Sequence, residues 1–142
     1  MRIAYGLIMV KISDDVKTEF EKTKLFMLAT ASKNGMPNVV PVGMVMLQSD
    51  DETVWIVDNF MNKTLANVKE NPHVAFSLCN QDGKESYQIK GTVTIENSGA
   101  DYEKAVEIAH KRKETLPAKN LLKINMTEIY FVSPGPKAGQ KL

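Results

Sequence analysis

Apolar residues along this chain change their spacing several times, and each change marks a new element. Val16 and Phe20 lie at helical spacing behind Ser13-Asp14-Asp15, which offers a capping hydroxyl and early negative charge, so a short helix is predicted near residues 14–22. Residues 25–30 are apolar and lead into Lys33-Asn34-Gly35, where the Asn-Gly pair tolerates the positive φ that closes a hairpin. The return strand, from 36 to about 47, carries Pro37, Pro41 and Gly43. Proline has no N–H for a central ladder, so this strand is expected to be an edge, bulged or bent. Ser49-Asp50-Asp51 forms a second turn, and the β-branched and aromatic run 53–57 a further strand. A short helix from 63 to 70 follows, with Asn62 as its cap, Leu65 and Val68 as its apolar stripe and Asn71-Pro72 as its stop.

The second half repeats both periods. A strand over 73–80, a polar turn at 81–84 and a strand from 85 to about 96 read as another hairpin. Tyr102, Ala105, Val106 and Ala109 recur at i, i+3, i+4 and i+7, an amphipathic helix of about 14 residues introduced by Ser98-Gly99. A last strand, about 121–132, precedes a Pro/Gly-rich tail over 133–142. The order is helix, three strands, short helix, two strands, helix, strand, with no regular βαβ alternation. That pattern fits a mainly β protein, an antiparallel barrel with helices outside, rather than a doubly wound sheet. No repeat, low-complexity tract or linker divides residues 1–142, which read as one domain.

Composition narrows the function. With 43% hydrophobic and 25% charged residues the chain is too apolar for disorder. Eighteen basic against 17 acidic residues give no global field for nucleic acid or anionic membrane, so any anion must be caught locally. The dense basic run His110-Lys111-Arg112-Lys113 falls at a helix end, where cations complement the dipole, and lacks the interleaved aromatics of a nucleic-acid groove. Cys79 is the single cysteine, which excludes an intramolecular disulfide and points to a reducing compartment, the cytoplasm. Residues 1–10 are fairly apolar but fall far short of a membrane span of about 20 residues, so neither export nor anchoring is expected. Met9 heads a run that makes a natural start, and residues 1–8 read as a loosely ordered extension or the product of an upstream start site.

Candidate chemistry concentrates in residues 57–68. A strand runs through a short loop into a helix whose first turn holds Lys63 and Thr64, so backbone N–H groups, a hydroxyl and an ammonium converge as a phosphate cradle without a glycine-rich loop. The plainer reading is a solvated lysine beside an ordinary first-turn threonine. His73 and His110 are far apart and lack partners at metal-ligand spacing, so no metal site is proposed. Cys79 reads as a small hydrophobe, and Trp55 and Tyr87 as core or cross-strand aromatics.

Several short pieces occur together in order: Leu28-Ala29-Thr30, then residues 35–42, Asn62-Lys63-Thr64 through Asn67-Val68 and Asn71-Pro72, Gln88-Ile89-Lys90-Gly91, and Glu128-Ile129-Tyr130. Together they span about residues 25–132 and resemble the pyridoxamine 5′-phosphate oxidase-like family, in particular its small FMN-binding members. The resemblance implies a six-stranded antiparallel split barrel that binds FMN non-covalently at the interface of a homodimer and serves as an oxidoreductase or electron carrier. It implies that Lys63 and Thr64 hold the FMN phosphate, with Asn67 a weaker candidate. Val40, Pro41 and Val42 match the strand whose backbone lines the flavin ring, and Val57, Asp58 and Asn59 the strand end beside the ring and ribityl chain. Gln88, on one strand face with Ser86 and Lys90, matches a polar contact to ring or phosphate. Split-barrel relatives also bind haem or a deazaflavin, which stand as alternatives. The oxidases themselves carry a C-terminal segment rich in aromatic and arginine residues; residues 134–142 have neither, a departure that speaks against vitamin B6 oxidation.

Overall fold

The protein is described by a computed structural model covering residues 2–4, 6–79 and 85–142. Its elements are β1 (Ile3–Ala4), β2 (Leu7–Ile8), α1 (Asp14–Lys22), β3 (Phe26–Ala31), β4 (Pro37–Val42), β5 (Val45–Leu47) and β6 (Thr53–Asp58). There follow α2 (Lys63–Glu70), β7 (His73–Cys79), β8 (Ser86–Glu96), α3 (Ala100–Arg112), β9 (Asn120–Phe131) and β10 (Gln140–Lys141). The turn expected at 81–84 lies outside the described residues.

The main sheet is antiparallel throughout, in the order β4-β3-β7-β8-β9-β6-β5. β4 and β5 sit at opposite ends of that path, yet only Gly43 and Met44 separate them in the chain, so the sheet curls until its ends meet. This is the expected split barrel. Two strands are added to the six expected: the single return strand is cut in two by the bend at Gly43, and the tail contributes β10. Pro37 and Pro41 are accommodated because β4 is an end strand, paired only with β3.

Period-two alternation sends Phe26, Leu28, Val54, Ile56, Phe76, Ile89, Leu122, Ile124 and Met126 into the barrel, where α1 adds Val16 and Phe20. The rings of Phe20, Phe26 and Phe76 cluster there, with centroids 4.9–6.5 Å apart. β6 is buried on both faces, because Trp55 and Val57 point outward with Leu121 onto Ala105 and Ala109 of α3. The Tyr102 hydroxyl donates to the Ala118 carbonyl at 2.8 Å and pins that helix.

Both termini are more ordered than the sequence suggests. β1 and β2 form a hairpin, and Arg2 Nη1 reaches Asp50 Oδ2 at 2.7 Å and Glu52 Oε2 at 3.1 Å. Burial alone raises the pKa of Asp50. The N–H groups of Glu52 and Thr53, the Arg2 guanidinium and the Thr53 hydroxyl outweigh it and hold the carboxyl below its ordinary range. At the other end β10 pairs with β9, and the Leu142 N–H donates to the Ile129 carbonyl.

A bulge between Lys90 and Gly91 shifts the β8–β9 register, and the Gly91 Cα lies so close to β9 that an added Cβ would collide with the Asn125 carbonyl and the Ile124 side chain. Gly91→Ala should therefore lower stability by about 1–3 kcal/mol in denaturant unfolding; an unchanged midpoint would show that β9 simply moves aside.

Candidate functional site

The loop between β6 and α2 takes its shape from Asp58, which is fully buried at the end of β6. Its Oδ1 accepts the Met61 N–H at 2.9 Å, and its Oδ2 accepts the Asn120 side-chain amide at 2.8 Å. The Lys119 ammonium stands 3.9 Å from the same group and donates to the Met61 carbonyl at 3.4 Å. Asn59 Oδ1 accepts the Ala118 N–H at 3.0 Å, and the Lys119 N–H donates to the Asp58 carbonyl at 2.8 Å. Residues 58–61 are thus clamped against 118–120.

That clamp sets where α2 begins. The first helical bond runs from the Ala66 N–H to the Asn62 carbonyl at 3.1 Å, so the amides of Lys63, Thr64 and Leu65 precede the helix's own ladder. Asn62 makes no side-chain capping bond, contrary to the sequence expectation, and the first turn holds no acidic residue. α1 and α3 differ, with Asp14 and Asp15, and Asp101 and Glu103, in their first turns. The positive end of α2 is reinforced by Lys63, which is exposed, rather than neutralised.

Asparagines hold α2 across the sheet. Asn38 on β4 donates to Thr64 Oγ1 at 3.2 Å, Asn67 donates to Thr30 Oγ1 on β3 at 3.0 Å, and Asn71 to the Ser32 carbonyl at 3.5 Å. Thr64 is 2% exposed and accepts from Asn38, which leaves its hydroxyl proton to donate.

Between α2, β4 and the end of β6 lies a cleft of about 500 Å³. It gathers Val40, Pro41, Val42, Val57, Asn59, Lys63 and Thr64, seven of the ten residues singled out from the sequence. Asp58, Asn67 and Gln88 are not brought there. Asp58 is turned into the clamp and Asn67 into its bond with Thr30. Gln88 lies on β8, opposite Ser77 of β7 and Tyr130 of β9 on the outer face of the sheet. The cleft also includes Asn38, Met44, Phe60, Met61 and Asn62, which sequence reasoning did not select. Asn38 was findable, since period two places it on one face with Val40 and Val42. Phe60 and Met61 were marked by being apolar inside a strand-to-helix loop.

His73 is exposed at the start of β7, and His110 Nε2 lies 3.0 Å from the Leu116 carbonyl on the outer helix. Among the described residues no three His, Cys, Asp or Glu side chains gather at one point, and no helix is long and apolar enough to cross a membrane.

The curled antiparallel sheet, the flanking helices and the cleft beside an end strand define a split-barrel protein. The model of the pyridoxamine 5′-phosphate oxidase family matches residues 12–133, and the chain belongs to that family. It is 38% identical over 140 residues to the uncharacterized protein MJ0282 of Methanocaldococcus jannaschii, covering 98% of this chain and 93% of that one. Among solved structures, HupZ of Group A Streptococcus superposes with a TM-score of 0.77 at 26% identity, over 90% of this chain and 99% of that one. An FMN-binding protein from Syntrophomonas wolfei gives 0.70 at 18%, over 81% of each chain. The same fold, at lower or comparable likeness, is that of HutZ, the heme storage protein from Vibrio cholerae (0.68 at 13%, 86% and 95%), and of an F420 reductase (0.63 at 21%, 83% and 98%).

Removing the Asp58 carboxyl strands the buried Met61 N–H and the Asn120 amide. Asp58→Ala should cost about 3 kcal/mol in chemical denaturation, and Asp58→Asn, which keeps one acceptor, distinctly less. Equal losses would place the importance of Asp58 in its charge toward Lys119 instead.

Proposed function

We propose that this chain is an FMN-binding flavoprotein, a homodimeric oxidoreductase or electron carrier of the cytoplasm. The observation that carries the reading is the cleft itself, in which a free strand edge and an uncapped, lysine-bearing helix start face the same space. Its volume lies within the roughly 300–1,000 Å³ of small-molecule sites, and its lining passes from apolar side chains to polar ones, as a flavin mononucleotide requires.

Lys63, the Thr64 hydroxyl and the first amides of α2 would hold the phosphate. The β4 backbone at Val40, Pro41 and Val42 would run along the ring system, and Val57 and Asn59 beside the ribityl chain. When bound, the flavin supplies the electron and hydride chemistry, and the protein supplies binding, orientation and electrostatics. That division matches the lining: among the described residues of one chain that form the cleft, Lys63 is the one titratable side chain.

A second copy would complete the site. On the outer face of the sheet Met27 lies opposite Pro41, and Ala29 opposite Val39 and Ala75, with Met27 41% and Val39 59% exposed. This apolar edge continues into Ser77, Gln88 and Lys90 on the same face. A C2 dimer formed on it would carry Gln88, which does not line the cleft of its own chain, toward its partner's cofactor. Sedimentation should return twice the chain mass, and a monomer that binds FMN tightly would refute the shared site.

A charge-assisted contact to phosphate is worth about 1.5–3 kcal/mol. Lys63→Ala should therefore weaken FMN binding by roughly tenfold to a hundredfold in calorimetry while barely affecting riboflavin, and FAD should bind less well than FMN. Equal responses to FMN and riboflavin would remove Lys63 from the phosphate; no FMN binding at all, with haem or a deazaflavin bound instead, would overturn the reading.

A further inference from the structure

Phe60 stands on the wall of the cleft with 79% of its surface exposed. An isolated exposed apolar residue is ordinary, but this one is carried on backbone that is held on both sides. Asn59 is bonded to the Ala118 N–H, the Met61 N–H to Asp58 Oδ1, and the Met61 carbonyl to the Lys119 ammonium. The backbone that carries the ring is therefore held by polar contacts of its neighbours, while the ring itself makes little packing contact. It adjoins the apolar part of the lining, which includes Val40, Val42, Met44 and Met61. An aromatic side chain on a fixed backbone beside apolar walls is suited to a flat, fused ring system, because the contact area is large and only the two side-chain torsions of Phe60 have to be ordered on binding.

We infer that Phe60 is a specificity-determining residue of this cleft, packing against the planar ring of the ligand and selecting for that ring whether or not it carries a phosphate. The inference rests on the flavin reading and divides the ligand between two ends of one segment. Lys63 and Thr64 recognise the phosphate, and Phe60 recognises the ring. The competing fate of an exposed aromatic, burial by a second copy of the chain, predicts a different response.

Phe60→Ala and Phe60→Trp should both fold with an unchanged thermal midpoint, since the ring touches little of the chain's own core. Phe60→Ala should weaken FMN and riboflavin equally, by roughly three- to tenfold, where Lys63→Ala is selective for FMN. Phe60→Trp should retain affinity and, at saturating FMN, dim the flavin emission relative to the wild type, because an indole stacked on an excited flavin donates an electron to it. Unchanged affinity in Phe60→Ala overturns the inference, as does undimmed emission in Phe60→Trp. A Phe60→Ala protein that loses affinity only because its dimer has dissociated in sedimentation also overturns it, assigning the ring to the subunit contact. Should the wild type bind FMN while both variants behave as it does, Phe60 fails alone and the flavin reading stands; should the wild type bind no flavin, both fall.

Discussion

β4 and β5 are the two ends of a seven-strand path through the sheet, and three peptide links, reaching at most about 11 Å, join Val42 to Val45. No open sheet satisfies that constraint. The strands must coil until the first lies beside the last, and the inward faces of all of them then enclose a single core. Met44 is already on the far side of the seam, accepting the Val57 N–H at 3.3 Å, and the Gly43 carbonyl accepts from Arg112 at the end of α3 at 3.2 Å. The cleft is a product of the same closure. Where the chain leaves β4 to join β6, the edge of β4 is left without a partner on one side, and α2, emerging from the end of β6, lies across the opening.

Holding that opening in shape falls to a buried carboxyl group. Burying Asp58 among apolar neighbours is unfavourable unless its oxygens are satisfied, and they are, by Met61, Asn120 and Lys119. Two distant stretches, 58–61 and 118–120, are thereby fixed to each other. Loop residues that would otherwise fray become rigid supports for whatever occupies the cleft. The asparagines at 38, 67 and 71 do the same for α2 from the other side.

Much of this was legible in the pattern of residues. α2 spans the stretch between Asn62 and Asn71-Pro72 that the stop and start signals delimit, and α1, β6, β7 and β8 fall within a residue or two of their expected bounds, because local propensity and burial agree there. What escaped depends on partners remote in sequence. Arg2 orders the N-terminal hairpin through Asp50 and Glu52, and β10 forms only because β6 covers β9 no further than Asn125, leaving the rest of that strand's edge open. The break at Gly43 was visible as an interruption, but not that its halves separate to opposite sheet ends. Asp58 shows the limit at the site itself. Adjacency to the candidate loop marks it as a contact, whereas only the fold shows that its side chain faces residues 118–120.

The relatives share a scaffold more than a ligand, and fold alone does not choose among FMN, haem and a deazaflavin. The choice has to be argued from the lining of the cleft. Haem iron requires an axial ligand from the protein, ordinarily an imidazole, thiolate, thioether or phenolate. Within one protomer's lining only Met44 and Met61 offer such an atom, and Met44 is 9% exposed in the cluster beneath α3. A phosphate, by contrast, would meet a helix start with no acidic side chain, a lysine and a hydroxyl whose proton is uncommitted. On the proposed reading, a ligand with a flat ring and a phosphate at the end of a short chain would engage the apolar and polar parts of this cleft at once.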